Sequence, residues 1–175
     1  MTRLFVTLAV AVFSALTTSA QSPFQFPTAN HALYESGQEL KFFAPTAPDK
    51  PWTSGSFGCV RSDGWQMHEG LDILHLHTDH HGEPTDPVMA TADGTVVYVS
   101  TKAALSNYGK YIVIRHIVEG LEIYSLYAHL SEVQPGITAG TAVKAGQVIA
   151  TMGRTSNTSE TIRSEEHTSE LQSPA

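Results

Sequence analysis

The sequence has little cysteine and few basic residues, and each shortage excludes a class of protein. Its one cysteine, Cys59, has no partner for a disulfide within the chain, and we interpret it as a small core residue. Lysine and arginine number 10 against 17 aspartates and glutamates, and the net charge of −7 argues against a broad nucleic-acid-binding face. With 41% hydrophobic and 15% charged residues among 175, the composition indicates one globular domain, and not a coiled coil or a disordered chain.

Long apolar runs are also scarce, and the longest lies at the amino terminus. Residues 4–16 are almost entirely apolar, follow the basic Arg3 and precede small residues at positions 18–20. The run is shorter than the roughly 20 residues that span a bilayer, and this order of features is typical of a secretory signal peptide. We therefore expect residues 1–20 to be a signal peptide, no membrane span to follow, and the mature protein to be exported to the periplasm or outside the cell.

Helical periodicity is missing from the rest of the chain. Residues 21–56 are rich in proline and predict an arm that is either packed over the domain or flexible. From Phe57 onward, short alternating runs are separated by turn residues, which predicts β-strands. Two hairpins are predicted around Asp93-Gly94 and Glu119-Gly120, and a third set of strands lies among Gly136, Gly140 and Gly146. We predict an all-β domain of antiparallel sheets.

Nine histidines raise the question of a metal site. His68 and Asp72 lie four residues apart, which keeps both side chains on one face of a helix or a strand. Imidazole and carboxylate both bind zinc, but the same spacing is equally compatible with two solvated surface residues. His129 ends the return strand of the second hairpin, where a structural role is the ordinary one, and His116 lies on the partner strand. The other histidines lie in a polar loop, the arm and the tail, and predict no site: His75, His77, His80, His81, His31 and His167.

Several motifs in one order resemble a known family over most of the mature chain, from about residue 57 to about residue 162. They are Gly58 and Arg61, then HEGLD, DPVMATADGTVVYV, NYGKYIVIRH, YSLYAHLS and GTAVKAGQVIATMGRTSNT. This series resembles the lysostaphin-like zinc metalloendopeptidases, which are LytM-type peptidoglycan hydrolases with a duplicated hybrid motif fold. We therefore expect residues 57–162 to form a lysostaphin-like metallopeptidase β domain.

The resemblance implies a metal, a substrate and a role for three residues. His68 and Asp72 correspond to the first two zinc ligands of the family, and His129 to a catalytic histidine that does not bind the metal. The implied reaction is hydrolysis of peptide cross-links in bacterial peptidoglycan, with Zn²⁺ polarising the carbonyl and acidifying a water molecule. The histidine beside the metal assists proton transfer or stabilises the oxyanion. The implied partner is therefore a peptidoglycan peptide in a groove of the sheet.

One departure from the family is clear. The family carries a His-x-His pair on a later strand, whose second histidine is the third zinc ligand, and this sequence has no such pair after residue 157. Residues 163–175, RSEEHTSELQSPA, resemble a translated sequencing-adapter fragment. We therefore expect the natural gene to continue past about Ser164 and residues 163–175 to be an artefactual tail. The shortened domain is then expected to lack a core strand and to expose a sheet edge. Without the third zinc ligand, the chain as given is also expected to be inactive.

Two other functions remain open on the sequence. A degenerate, non-catalytic domain that binds wall peptides or activates another hydrolase fits the missing His-x-His pair, but not the retention of His68, Asp72 and His129. A lipoyl- or biotinyl-type carrier shares the glycine punctuation of residues 140–149, but it needs a lysine at a hairpin tip, and Lys144 lies inside that segment. The scissile bond, the role of the arm and the oligomeric state are not readable from the sequence.

Overall fold

The structure, a computed structural model, describes residues 22–47, 49–61, 66–157 and 168–172. The predicted signal peptide and His167 lie outside these residues. In the described ranges, no helical segment has the length and apolar character needed to cross a membrane.

Eleven strands form most of the regular structure, and every strand pair is antiparallel. They are β1 Val60–Arg61, β2 Gln66–Met67, β3 Leu71–Asp72, β4 Pro87–Met89, β5 Gly94–Ser100, β6 Tyr111–Val118, β7 Leu121–Tyr127, β8 Glu132–Val133, β9 Ala142–Val143, β10 Val148–Thr151 and β11 Thr168–Gln172. They form a pair β1-β2, a sheet β4-β10-β8 and a six-stranded sheet β3-β11-β7-β6-β5-β9. The described residues also contain short helical segments. These are one α-helical turn, Glu39–Phe42, and 3-10 turns at Ala32–Tyr34, Trp52–Gly55 and Ala103–Leu105. The all-β, antiparallel prediction is confirmed.

The hairpin predicted around Glu119-Gly120 is present. Strands β6 and β7 pair along their whole length, from Ile112 opposite Tyr127 to Val118 opposite Leu121. Glu119 has φ 52° and Gly120 has φ 82°. Two consecutive residues with positive φ form the tight turn whose twist matches that of the flanking strands.

The prediction of a hairpin around Asp93-Gly94 is wrong. Strand β4 pairs with β10, while β5 pairs with β6 and β9, so the Asp-Gly turn joins two different sheets. Gly94 does not have a positive φ, and a Cβ there would lie 2.5 Å from the Arg115 carbonyl oxygen and 2.7 Å from His116 Nδ1. Glycine is therefore required by the close approach of β5 to β6, and not by the turn geometry that the sequence suggests.

The core lies between the two larger sheets. Ile112, Ile114 and His116 point inward from β6 and are fully buried, as their alternation predicts. From the three-stranded sheet, β4 and β10 contribute Val88 and Ile149.

His116, on the partner strand of the one that leads to His129, could face the same side as His129 on the sequence alone, but it belongs to this core and not to the candidate site. Its Nδ1 lies 2.9 Å from the Asp93 carbonyl oxygen and its Nε2 lies 2.7 Å from Ser125 Oγ. It lies four residues along β6 from Ile112, the partner of Tyr127, a distance of about 13 Å at the usual rise per residue.

Residues 168–172, which lie in the tail predicted to be artefactual, form strand β11 between β3 and β7. Thr168 pairs with Asp72, and Ser169 pairs with both Leu71 and Tyr127. The edge that we expected to be exposed is therefore paired in the structure. Strand pairing uses backbone groups, which every residue except proline supplies in full, so a polar composition does not prevent it.

Candidate metal-binding and catalytic site

His68 and Asp72 meet at the point where the small β1-β2 pair joins the six-stranded sheet. The backbone N–H of His68 donates to the Cys59 carbonyl at 2.8 Å, and its own carbonyl accepts from Gly58 N at 2.8 Å, which extends the β1-β2 pairing to His68. Asp72 ends β3. His68 Nε2 lies 3.2 Å from Asp72 Oδ1, and both side chains are buried.

A hydrogen bond from the His68 ring to a backbone carbonyl determines which ring nitrogen carries the proton. Its Nδ1 lies 2.9 Å from the Ser56 carbonyl oxygen, and because a carbonyl only accepts, Nδ1 carries the proton. In the neutral ring, Nε2 is then the acceptor and faces Asp72 Oδ1, which is also an acceptor. Two buried acceptors at this distance need a proton or a cation between them. The pair is therefore compatible with an imidazolium–carboxylate contact or with a bound metal ion.

The pair fits two positions of a zinc site. Zinc binds imidazole nitrogen and carboxylate oxygen at roughly 2.0–2.2 Å in a tetrahedral arrangement, which separates two ligand atoms by about 3.3 Å. The observed distance between His68 Nε2 and Asp72 Oδ1 is 3.2 Å. The described part of the chain contains no group of three or more His, Cys, Asp or Glu side chains that would hold a metal. Among the described residues, this pair would therefore supply two of the three protein ligands that a catalytic zinc site usually has.

His129 follows β7 and is held by the segment after β10. It has φ 55°, a conformation that is uncommon for a residue with a side chain. Its backbone N–H donates to the Tyr108 carbonyl at 2.8 Å, and its Nδ1 donates to the Thr155 carbonyl at 2.7 Å. As in His68, a backbone carbonyl sets the tautomer, and Nε2 is the acceptor of the neutral ring.

Thr155 is itself fixed by its hydroxyl. Thr155 Oγ1 accepts from Lys110 N at 2.9 Å and donates to the Leu130 carbonyl at 2.8 Å. Gly109, with φ 62°, packs directly against it, since a Cβ at Gly109 would lie 2.0 Å from the Thr155 carbonyl oxygen. The orientation of His129 therefore depends on two residues that carry no reactive group.

Strand β11 lies between the strand that carries Asp72 and the strand that leads to His129. Asp72 pairs with Thr168, and Tyr127 pairs with the adjacent Ser169. One strand thus separates Asp72 from the end of β7, a distance of about 10 Å at the usual spacing of neighbouring strands. The structure brings His68 and Asp72 into contact and places His129 at the same end of the sheet.

His77, His80 and His81 have other partners, all within the polar loop and its end at Asp86. His77 is mostly exposed, and its Nδ1 lies 2.8 Å from Asp86 Oδ1. Burial raises the pKa of Asp86, but hydrogen bonds from the His77 backbone, the His77 ring and the Leu76 backbone outweigh it, and this pKa lies below its ordinary value. The rings of His80 and His81 lie against each other at an interplanar angle of 45°, with centroids 3.7 Å apart.

The sequence nominates three candidate side chains, but it does not identify the residues that hold two of them in place. The carbonyl of Ser56 and the carbonyl of Thr155 act through backbone atoms, which have no residue signature. Gly109 and Thr155 do occur within the NYGKYIVIRH and GTAVKAGQVIATMGRTSNT motifs, and that is the one signal that marks them.

Comparison with known proteins places these features in a family. The sequence is 37% identical over 94 residues to the DD-carboxypeptidase/endopeptidase Mpg of Neisseria meningitidis serogroup B, covering 53% of this chain and 20% of that protein. It is 40% identical over 91 residues to the murein hydrolase activator NlpD of Escherichia coli K12, covering 52% of this chain and 20% of that protein. The chain thus spans about a fifth of the length of these curated relatives.

A solved structure supports the fold alone. The catalytic domain of a mutant of the prophage-encoded M23 protein EnpA from Enterococcus faecalis aligns with a TM-score of 0.50 at 20% identity, covering 69% of this chain and 78% of that one. The sequence model of Peptidase family M23 matches residues 66–169, more than half of the chain, and includes His68, Asp72 and His129. The chain therefore belongs to Peptidase family M23.

Proposed function

We propose that this chain carries the peptidase domain of an exported, zinc-dependent endopeptidase that hydrolyses peptide cross-links in bacterial peptidoglycan. The observation that carries the proposal is the buried contact of His68 Nε2 with Asp72 Oδ1 at 3.2 Å, in a ring whose tautomer is set by the Ser56 carbonyl. The family match and the name of the Neisseria relative support a peptidase that acts on peptidoglycan. The amino-terminal residues 1–20 support export to the periplasm or the cell exterior.

Each of the three residues has a separate task in this proposal. His68 and Asp72 hold the zinc ion through Nε2 and a carboxylate oxygen. Zinc at such a site supplies Lewis acidity and lowers the pKa of a water molecule. His129, whose Nδ1 proton is engaged by the Thr155 carbonyl, holds or moves a proton at Nε2 and stabilises negative charge that develops on the substrate.

The acidic charge of the chain means that an anionic polymer is not held by bulk electrostatic attraction. The formal net charge is −7. Binding therefore depends on local contacts beside the site. A peptide cross-link supplies amide groups for such contacts.

The test combines zinc content with cleavage of purified peptidoglycan, read by mass spectrometry as new peptide amino termini. We expect His68→Ala and Asp72→Ala to lose zinc, together with any cleavage that the unaltered chain shows. His129→Ala is expected to keep zinc and to lose about 10²- to 10⁴-fold in rate, the usual contribution of a general acid or base. His80→Ala, a change in the histidine loop, is the matched control. Cleavage that survives in His68→Ala would contradict the proposal.

A second candidate is a non-catalytic domain that binds wall peptides or activates another hydrolase. Two observations favour it. The described residues offer two ligands and contain no group of three, and the Escherichia coli relative is a murein hydrolase activator. This function predicts that the chain sediments with insoluble peptidoglycan and releases no new amino termini, and that His68→Ala does not change the sedimentation.

A further inference from the structure

We propose that the Pro-rich arm orients both candidate zinc ligands, through its segment from Phe42 to Ser56, and so acts as the outer shell of the site. This inference rests on the proposed function, because it concerns the ligands named there. The family match begins at residue 66, so these contacts come from a part of the chain that precedes it. The arm is thereby an integral part of the site and not a flexible leader.

The first contact sets the ring of His68. The Ser56 carbonyl, at the end of the arm, accepts from His68 Nδ1 at 2.9 Å. A ligand histidine is normally held in this way, by a partner on the nitrogen that does not bind the metal, which fixes the ring and raises its basicity. The arm therefore selects the tautomer in which Nε2 faces Asp72.

The second contact sets the backbone of Asp72. The N–H of Ala44 donates to the Asp72 carbonyl at 2.9 Å, and two residues further on Leu74 N donates to the Phe42 carbonyl at 2.7 Å. Between them, Phe43 forms an antiparallel bridge with Ile73. The arm thus pairs with the end of β3 as an additional strand, and it fixes the position from which the Asp72 carboxylate extends.

Gly55 is the residue that lets both contacts exist together. A Cβ at Gly55 would lie 2.0 Å from the Ala44 carbonyl oxygen and 3.2 Å from Asp72 Cβ. Gly55 does not have a positive φ, so glycine is needed here for space and not for backbone conformation. The segment that carries Ser56 therefore lies directly against the segment that carries Ala44, with Asp72 beside them.

The arm segment is braced internally, which gives it the rigidity that positioning requires. Ser54 Oγ donates to the Pro51 carbonyl at 2.7 Å and accepts from Thr46 N at 2.9 Å. The ring of Trp52 stacks on Phe43, with centroids 5.4 Å apart and an interplanar angle of 21°. Pro51 immediately precedes the 3-10 turn Trp52–Gly55, so the proline content that predicts an arm also fixes its shape.

The experiment compares Gly55→Ala with Gly37→Ala in the full chain. Gly37 lies in the same arm at φ +78°, and a Cβ there meets no atom within 4 Å. The control therefore introduces backbone strain without touching the site, and both variants are expected to melt at a lower temperature. Nitrogen-15 NMR of the metal-free chain reports the tautomer of His68, and competition with a chelating dye reports zinc affinity.

We expect His68 to carry its proton on Nδ1 in the wild type and in Gly37→Ala, with equal zinc affinity in the two. Gly55→Ala is expected to lose this single tautomer and to bind zinc about 10- to 100-fold more weakly, the usual effect of losing an outer-shell partner. A wild-type His68 protonated on Nε2, or a folded Gly55→Ala with unchanged tautomer and affinity, would overturn the proposal.

A second variant keeps the inference testable if Gly55→Ala does not fold. Ser54→Ala removes both hydroxyl bonds of the brace, and it is expected to broaden or shift the His68 ring resonances in the same direction. Unchanged His68 resonances in a folded Ser54→Ala would contradict the role of the arm in orienting His68. Absence of zinc binding by the wild type would instead contradict the proposed function, while the NMR comparison would still decide whether the arm orients His68 and Asp72.

Discussion

At the scale of single residues, the candidate site uses one arrangement twice. His68 donates from Nδ1 to the Ser56 carbonyl, and His129 donates from Nδ1 to the Thr155 carbonyl. Each backbone carbonyl fixes a ring and leaves Nε2 as the acceptor of the neutral imidazole. The orientation of both rings therefore depends on the position of peptide groups that no side-chain motif encodes.

Thr155→Val tests this arrangement at His129. Valine keeps the shape of threonine but loses the hydroxyl that bonds Lys110 N and the Leu130 carbonyl. We expect the free energy of unfolding to fall by about 1 kcal/mol, because the partly buried Lys110 N–H loses its partner, and His129 to lose its single Nδ1–H tautomer. Urea denaturation and nitrogen-15 NMR measure the two effects.

Thr138→Val is the control for this change, since the Thr138 hydroxyl bonds Thr141 in an exposed turn. It is expected to leave the His129 resonances unchanged. If Thr155→Val were destabilised while His129 kept its tautomer, Thr155 would be a packing residue without a positioning role.

Asp86 predicts an acid-dependent loss of stability. Its buried carboxylate accepts from Leu76 N, His77 N and the His77 ring, and its pKa is lowered. A lowered pKa adds stability that is complete above the unfolded value of about 3.9 and is lost as the pH falls through the folded value. We expect Asp86→Asn to lower stability by about 1–3 kcal/mol at pH 7 and to flatten the acid side of the stability curve.

Chemical denaturation between pH 2 and pH 7, starting from about two units below that unfolded value, measures this dependence. Asp49→Asn is the control, because Asp49 is exposed. Equal acid slopes for the wild type and Asp86→Asn would show that the carboxylate does not carry the effect.

At the scale of elements, the β6-β7 hairpin contains a strained position. Glu119 has φ 52°, and in this region asparagine is better tolerated than glutamate. Glu119→Asn, which creates the Asn-Gly turn, is expected to stabilise the protein by about 0.5–1 kcal/mol. Glu119→Gln removes the same charge, but glutamine does not share the tolerance of asparagine for positive φ. This variant is therefore expected to leave the urea midpoint unchanged. Equal shifts in the two variants would assign the gain to charge instead.

The strands were more predictable from sequence than their partners. Alternation along β6 predicts which residues are buried, and Glu119-Gly120 predicts its partner, because both signals are local. The partner of β4 is β10, about 60 residues later in the chain, and an alternating pattern is equally satisfied by any neighbouring strand. The hairpin predicted around Asp93-Gly94 is therefore absent. Glycine at position 94 is required by close packing against β6, and the sequence does not distinguish this requirement from that of a hairpin turn.

At the scale of the whole molecule, sequence reasoning identified the family and the fold class, and it placed His68, Asp72 and His129 as site candidates. The order of motifs carried that result, since composition alone was compatible with other β proteins. Sequence left the role of the arm open, because its contacts with Asp72 and His68 run through backbone atoms. It also expected an open edge where β11 pairs with both β3 and β7.

The whole chain thus combines a two-sheet core with a site at one end of the larger sheet and an arm that braces that end. Fully buried residues such as Ile112, Ile149 and Phe42 come from the large sheet, the small sheet and the arm, and belong to one cluster. Packing of the arm is therefore coupled to packing of the core. Loss of the arm is expected to affect both stability and the site.

X-ray absorption at the zinc edge of the zinc-loaded chain reports directly whether His68 and Asp72 bind the metal. We expect imidazole and oxygen ligands at roughly 2.0–2.2 Å. His68→Ala should remove the imidazole contribution of that residue, and His129→Ala should change nothing. A spectrum that is unchanged in His68→Ala, or that loses imidazole in His129→Ala, would contradict zinc binding by this pair.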